Sequence, residues 1–139
     1  MSLLEIKDLY KEFSNGKSRF TAVDNVSLHI EEGECLGIVG ESGCGKSTTA
    51  SLVMHLKEAD GGRIIFDGRE LDTRQAVKES RKNLQMIFQN PVDSFDPRYT
   101  LLNSVKQGLK YFENPGKAEL ERRAKEAIEY VGLKSSYYN

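Results

Sequence analysis

One octapeptide constrains this chain more than any other stretch: Gly40-Glu41-Ser42-Gly43-Cys44-Gly45-Lys46-Ser47 fits the pattern G-x-x-x-x-G-K-[ST]. The pattern requires a strand before it and a helix after it, and the flanking residues offer both. Cys35-Leu36-Gly37-Ile38-Val39 is a short apolar run without alternation, which predicts a strand buried on both faces of a parallel sheet. Ser47 to Leu56 predicts a helix, stopped around Asp60-Gly61-Gly62. Glycines at 40, 43 and 45 let the backbone adopt positive φ, so several N–H groups converge on one anion without a Cβ in the way. The positive end of the following helix adds about 0.3 to 1 kcal/mol for a neighbouring negative charge.

The chemistry implied is triphosphate binding. The Lys46 ammonium is a point charge for the β- and γ-phosphates, the Ser47 hydroxyl is placed to ligate Mg²⁺, and Thr48 is the contact for the α-phosphate region. Glu41, Ser42 and Cys44 contribute main-chain groups to the same cradle. Cys44 lies at a helix N-terminus, which can activate a thiol, but a small space-filling side chain is the preferred reading. A structural disulfide between Cys44 and Cys35, the only two cysteines, would obstruct the ligand. Reduced thiols and a cytoplasmic setting follow.

The chain has 139 residues, the length of one domain. With 38% hydrophobic and 29% charged residues, the composition is that of a globular protein rather than a disordered one. Twenty Lys and Arg are interleaved with twenty-one Asp and Glu for a net charge of −1, so no basic footprint for nucleic acid emerges. No apolar stretch approaches the about 18 to 20 residues of a membrane span.

Further strands are predicted at Leu3 to Ile6, Phe20 to Ile30, Arg63 to Phe66 and Leu84 to Phe88, with a turn at Gly16. The charged stretch from Arg69 to Asn83 is assigned no element. Apolar periodicity predicts two helices, one carrying Leu101, Leu102, Val105, Leu109 and Phe112, the other Leu120, Ala124, Ala127, Ile128 and Val131, parted by Asn114-Pro115-Gly116. Their apolar faces are read as internal packing.

Five stretches together resemble the ATP-binding subunit of an ABC transporter, within the oligopeptide, dipeptide and nickel importer group. They are Leu9-Tyr10-Lys11-Glu12-Phe13, Ala22-Val23-Asp24-Asn25-Val26-Ser27, the phosphate loop (Walker A), Gly62 to Gly68, and Met86-Ile87-Phe88-Gln89-Asn90-Pro91 running into Ser94-Phe95-Asp96-Pro97-Arg98. The resemblance implies an α/β fold: a P-loop NTPase (RecA-like) core with an N-terminal antiparallel β subdomain and the start of a helical subdomain. Residues 1–33 would be mostly β subdomain, 34–89 the P-loop core with inserted strands, and 90–139 the Q-loop and the start of the helical part.

The resemblance also assigns roles. Phe13 would stack on adenine, with Tyr10 as the lesser candidate. Gln89 would be the Q-loop glutamine, touching Mg²⁺ or the attacking water and lying near the membrane-domain contact. Gln89 and Lys46 are the catalytic candidates, Ser47 and Gln89 the Mg²⁺ candidates, and ATP with Mg²⁺ the cofactors. The partners implied are transmembrane permease subunits and a second ATP-binding subunit, with the membrane reached only through them, on the inner face of the cell membrane.

A complete member carries a Leu-Ser-Gly-Gly-Gln type signature, a Walker B Asp with a catalytic Glu, and a switch His. None lies in this sequence, and Ile64-Ile65-Phe66-Asp67 only superficially resembles Walker B because Gly68 stands where the glutamate would be. His29 and His55 are read as structural or surface residues. The expectation is an N-terminal portion that binds ATP but hydrolyses it poorly and, with sheet neighbours missing, is unstable or self-associating. The competing reading is a non-catalytic nucleotide-binding module. An unrelated P-loop kinase fits less well, because of the stretch around Gln89.

Overall fold

A computed structural model describes residues 2–90 and 94–138. The chain divides into two compact units, one up to Met86 and the other from Ile87 onward.

The first unit is built on a four-stranded antiparallel sheet of order β2-β1-β3-β4. Its strands are β1 (Ser2–Ser14), β2 (Arg19–Glu31), β3 (Gly61–Phe66) and β4 (Arg69–Glu70). β1 and β2 form a hairpin whose turn is tied by Asn15: its side-chain oxygen accepts from the backbone N–H of Lys17 and Ser18 at 3.2 and 2.9 Å. An Asn side chain that mimics a backbone turn in this way fixes the register of the strands it joins. Counting outward, Ser14 faces Arg19 and Phe13 faces Phe20.

Along β1 the buried positions run Leu4, Ile6 and then Leu9, a break in strict alternation. The cause is a register irregularity between Ile6 and Leu9 at Asp8, whose φ is 51°. One extra residue in a bulge turns the next side chain to the opposite face. Leu9 therefore enters the core, and the charged Asp8 stays out with its carboxylate accepting from the Ser27 hydroxyl. β3 joins β4 through Asp67-Gly68, with φ of 50° and 72°, the two positive values that a tight Asp-Gly hairpin turn demands. This confirms β3 as an antiparallel strand and Asp67 as a turn residue, not a metal-binding strand end.

Helix α1 (Lys46–Val53) sets Leu52 among Leu4, Ile6, Leu9, Val23, Ile64, Leu71 and Ala76, the buried core of this unit. Helix α2 (Arg74–Ser80) lies in the charged stretch where no element was expected. It starts because the Thr73 hydroxyl accepts from the Ala76 N–H at 3.1 Å, and it is held by burial of Ala76.

Two predicted strands are corrected. Residues 35–39 and 84–88 form no regular element and pair with no strand among the described residues. Val39 is 93% exposed and Ile87 95%, so neither run is buried on both faces. An apolar run signals a segment suited to burial, but a ladder also needs a neighbouring strand, and the described strands pair only in the order β2-β1-β3-β4.

In the second unit, α3 (Leu101–Phe112) and α4 (Lys117–Tyr130) pack together, but Phe112, Ala127 and Val131, predicted on their apolar faces, are exposed. Ala124 and Ile128 of α4 are fully buried, while Leu101, Leu102, Val105 and Leu109 of α3 are half-buried. The Thr100 hydroxyl caps α3, and Gly132 at φ 82° closes α4 with its N–H on the Glu129 carbonyl at 2.8 Å. A Lys106–Glu121 ion pair of 3.3 Å links the two helices.

Candidate nucleotide-phosphate site

The phosphate loop lies between the irregular residues 35–39 and α1. Gly45 forms the N-cap of α1 with φ 95°, and no side chain satisfies the helix N-terminus. The first N–H groups of a helix lack intrahelical acceptors, so this end is suited to an anion. The first carbonyl to accept is that of Gly45, which takes the Thr49 N–H at 2.8 Å and the Thr49 hydroxyl at 3.0 Å. Thr49 is the buried polar residue of the helix and anchors the loop's exit.

Close packing against β2 sets the loop's position. A Cβ on Gly45 would lie 2.1 Å from the Ala22 carbonyl oxygen and 3.8 Å from a methyl of Val23. Only a glycine permits both the left-handed backbone and this approach. The sheet therefore carries the loop through Ala22 and Val23 of β2.

Lys46 folds back over the loop. Its ammonium donates to the carbonyls of Gly40 at 2.8 Å and Glu41 at 2.6 Å, with the Cys44 sulfur 3.4 Å away. These bonds keep a positive charge over the loop's mouth with acceptors that a phosphate can replace. Ser42 and Ser47 are exposed, Thr48 is half-buried, and the Cys44 N–H is turned to the Glu41 carbonyl at 3.4 Å. Both cysteines are free thiols. The arrangement fits a bound triphosphate: an uncapped helix end, a glycine where a Cβ cannot fit, and a lysine ammonium held on the loop's own carbonyls.

A second grouping surrounds Phe13, near the end of β1. Its ring stacks on Phe20 of β2, with centroids 5.8 Å apart and planes 26° from parallel. The ammonium groups of Lys11 and Lys57 lie over the same ring at 5.5 and 5.4 Å from its centroid. Lys11 is fixed by Asp60, whose carboxylate accepts from its ammonium at 2.9 Å and from the Glu12 N–H at 2.8 Å. The Glu12 N–H first, and then Lys11, hold the Asp60 carboxyl below the usual carboxylate range. Tyr10 is half-buried, with its hydroxyl 3.5 Å from that of Thr21.

Sequence reasoning selected Phe13 but missed Phe20, Lys57 and Asp60. Phe20 could have been found by counting outward from the Asn15-Gly16 turn. Lys57 and Asp60 are separated from Phe13 by the whole phosphate loop and left no local signal. Gln89 is exposed, just after the irregular run 84–88, in the second unit. Pro91 to Asp93, in the stretch that follows it, lie outside the described residues. Asp96 and Arg98, further along, form an ion pair of 2.6 Å. His55 closes α1 in the left-handed conformation at φ 50°, its N–H on the Leu52 carbonyl at 2.9 Å. The ring Nε2 is buried without a partner among the described residues, and that desolvation, with the Arg81 charge, pushes the imidazole pKa down.

The sequence pattern of the ABC transporter family matches residues 23–138, most of the chain. This chain belongs to the ABC transporter family. It is 40% identical over 141 residues to the oligopeptide transport ATP-binding protein OppF of Bacillus subtilis, covering 99% of this chain and 46% of that protein. It is 38% identical over 133 residues to a putative peptide import ATP-binding protein of Brucella ovis, covering 94% of this chain and 42% of the relative. The chain thus spans about half the length of the curated relatives it matches. Among solved structures, the ATP-binding cassette MJ0796, in a dimeric post-hydrolysis state with ADP and Pi, superposes with a TM-score of 0.84 at 29% identity. That match covers 98% of this chain and 60% of the cassette. The α/β cassette fold expected from the motifs is therefore the fold of this chain, in a portion of the cassette's length. Among the described residues no helix is long and apolar enough to cross a membrane.

Proposed function

We propose that this chain binds ATP with Mg²⁺ as part of the ATPase subunit of an ABC importer for peptides or related small solutes, nickel included. The observation that carries the reading is the Lys46 ammonium held over an uncapped helix end by the Gly40 and Glu41 carbonyls. A triphosphate replaces those two carbonyls as acceptor, and the N–H groups at the start of α1 take its remaining charge. Ser47 holds Mg²⁺ through its hydroxyl, Thr48 meets the α-phosphate, and the main chain of Glu41, Ser42, Gly43 and Cys44 lines the cradle. Phe13 supplies the face on which adenine stacks.

In the assembled importer, Gln89 acts on Mg²⁺ or the attacking water together with Lys46, and carries the state of the site to a transmembrane permease subunit. A second ATP-binding subunit completes the motor, at the cytoplasmic face of the membrane. Residues 1–33, 34–89 and 90–139 then serve as β subdomain, P-loop core, and Q-loop with the start of the helical subdomain. Peptides are the favoured solute because OppF and the Brucella protein are described as oligopeptide transport and peptide import proteins.

Calorimetric titration of ATP with Mg²⁺ into this chain and its Lys46→Ala variant tests the reading. Removing charge-assisted hydrogen bonds to phosphate is expected to weaken binding about 10- to 100-fold. Equal affinity in the two proteins would remove the basis of the proposal.

A further inference from the structure

We propose that Phe20 is a positioning residue for the nucleobase: stacked against the Phe13 ring, it fixes that ring in the orientation that receives a purine. The inference rests on the nucleotide-binding function proposed above and on Phe13 as the base-stacking residue. Phe20 is 58% exposed, so core packing does not account for it. Its ring instead lies on that of Phe13, directly across the hairpin, 5.8 Å away and 26° from parallel. The Asn15 turn locks the register that makes the two residues partners. Slippage by one residue would send the two rings to opposite faces.

The same strand also carries the phosphate loop. Ala22, whose carbonyl presses on Gly45, is two residues beyond Phe20 on β2, a step of roughly 7 Å along a strand. The short segment from Phe20 to Ala22, which ends at the register irregularity opposite Lys11 and Glu12, therefore links the ring pair to the phosphate cradle. The ammonium groups of Lys11, tied to Asp60, and of Lys57 lie over the same Phe13 ring. A ring already held in its binding orientation loses little freedom when a base stacks on it, and the saving appears as affinity for the base alone.

The test uses this chain with two probes, ATP and inorganic tripolyphosphate, which has the phosphates but no base. Phe20→Ala is expected to weaken ATP binding about 3- to 10-fold and to leave tripolyphosphate within about twofold. Phe20→Leu, which keeps apolar bulk at the hairpin, should lose the same preference, and Phe20→Tyr, which keeps the ring, should retain it. Unchanged ATP affinity in Phe20→Ala and Phe20→Leu would overturn the inference. So would equal weakening of both probes, since that would mean Phe20 acts only through the placement of β2. Phe13→Ala separates the two levels of the argument. If it too spares ATP binding, the base-stacking reading itself fails; if it weakens ATP while the Phe20 variants do not, only the positioning role is lost.

Discussion

The backbone of Gly45 lies so close to Ala22 that a Cβ on it would sit 2.1 Å from the Ala22 carbonyl oxygen. The contact joins the phosphate loop to the sheet and leaves no room for the smallest side chain. Gly45→Ala must pay for a left-handed backbone and also displace β2. We expect a loss of about 2 to 5 kcal/mol in folding stability, together with loss of triphosphate binding. Gly37→Ala is the control, because nothing lies within 4 Å of its Cβ position and its φ is not left-handed. It should stay within about 0.5 kcal/mol of the parent or gain slightly. Urea denaturation of the two variants provides the comparison, and comparable losses would refute the role of the Ala22 contact.

Leu9 and Val39 test the corrected account of the core. Leu9 is fully buried although it lies beyond the strand predicted at Leu3 to Ile6, and Val39 is 93% exposed although it ends an apolar run predicted as a buried strand. Leu9→Ala is expected to cost about 2 to 5 kcal/mol, whereas Val39→Ala should change stability by less than about 0.5 kcal/mol. A large loss for Val39→Ala would show that residues 35–39 are packed as a strand after all.

These contrasts show where sequence reasoning succeeds. The phosphate loop was legible because its chemistry demands fixed residues at fixed spacing, and α3 and α4 were legible because a helix repeats its apolar face every turn. Strand pairing was less so. Leu36, Ile38 and Ile87 advertise burial, but an apolar run does not say which strand will lie beside it. Helix α2 was hidden by its charge, since its one strong signal is the Thr73 cap ahead of Ala76. The bulge at Asp8 could be read only as a missed beat between Ile6 and Leu9. The surroundings of Phe13 divide the same way: Phe20 follows from the turn, whereas Lys57 and Asp60 arrive through tertiary structure alone.

The Lys46 ammonium bonds to Gly40 and Glu41 within its own loop, so Lys46→Ala has a structural as well as a binding consequence. Both bonds lie at a solvent-exposed site, where a net contribution of about 0.5 to 1.5 kcal/mol apiece is an upper range. Thermal stability should therefore fall only modestly in the absence of nucleotide. The larger effect appears on adding ATP: the parent should gain stability with rising ligand by mass action, and the variant should not. Identical ATP-induced shifts in melting temperature would contradict this.

His55 predicts how stability depends on pH. Burial of Nε2, and secondarily the Arg81 charge, depress its pKa in the folded chain below the ordinary 6.5. The unfolded chain therefore binds a proton more readily than the folded one below that value. Stability from this group is complete above about pH 6.5 and falls as pH drops toward the folded-state pKa. Because the imidazole is only half-buried, solvent screening keeps the slope below the one-proton ceiling of about 1.4 kcal/mol per pH unit. The carboxylates held low by their partners, Glu5, Asp60, Glu79 and Asp96 among them, lose their contribution only at more acid pH. Denaturation between pH 5.5 and 8 consequently lies above the range in which those carboxylates lose their contribution. His55→Asn keeps a residue tolerant of the left-handed conformation but removes the titration, so its stability should be flatter across this range. A slope identical to that of the parent would mean that His55 does not govern it.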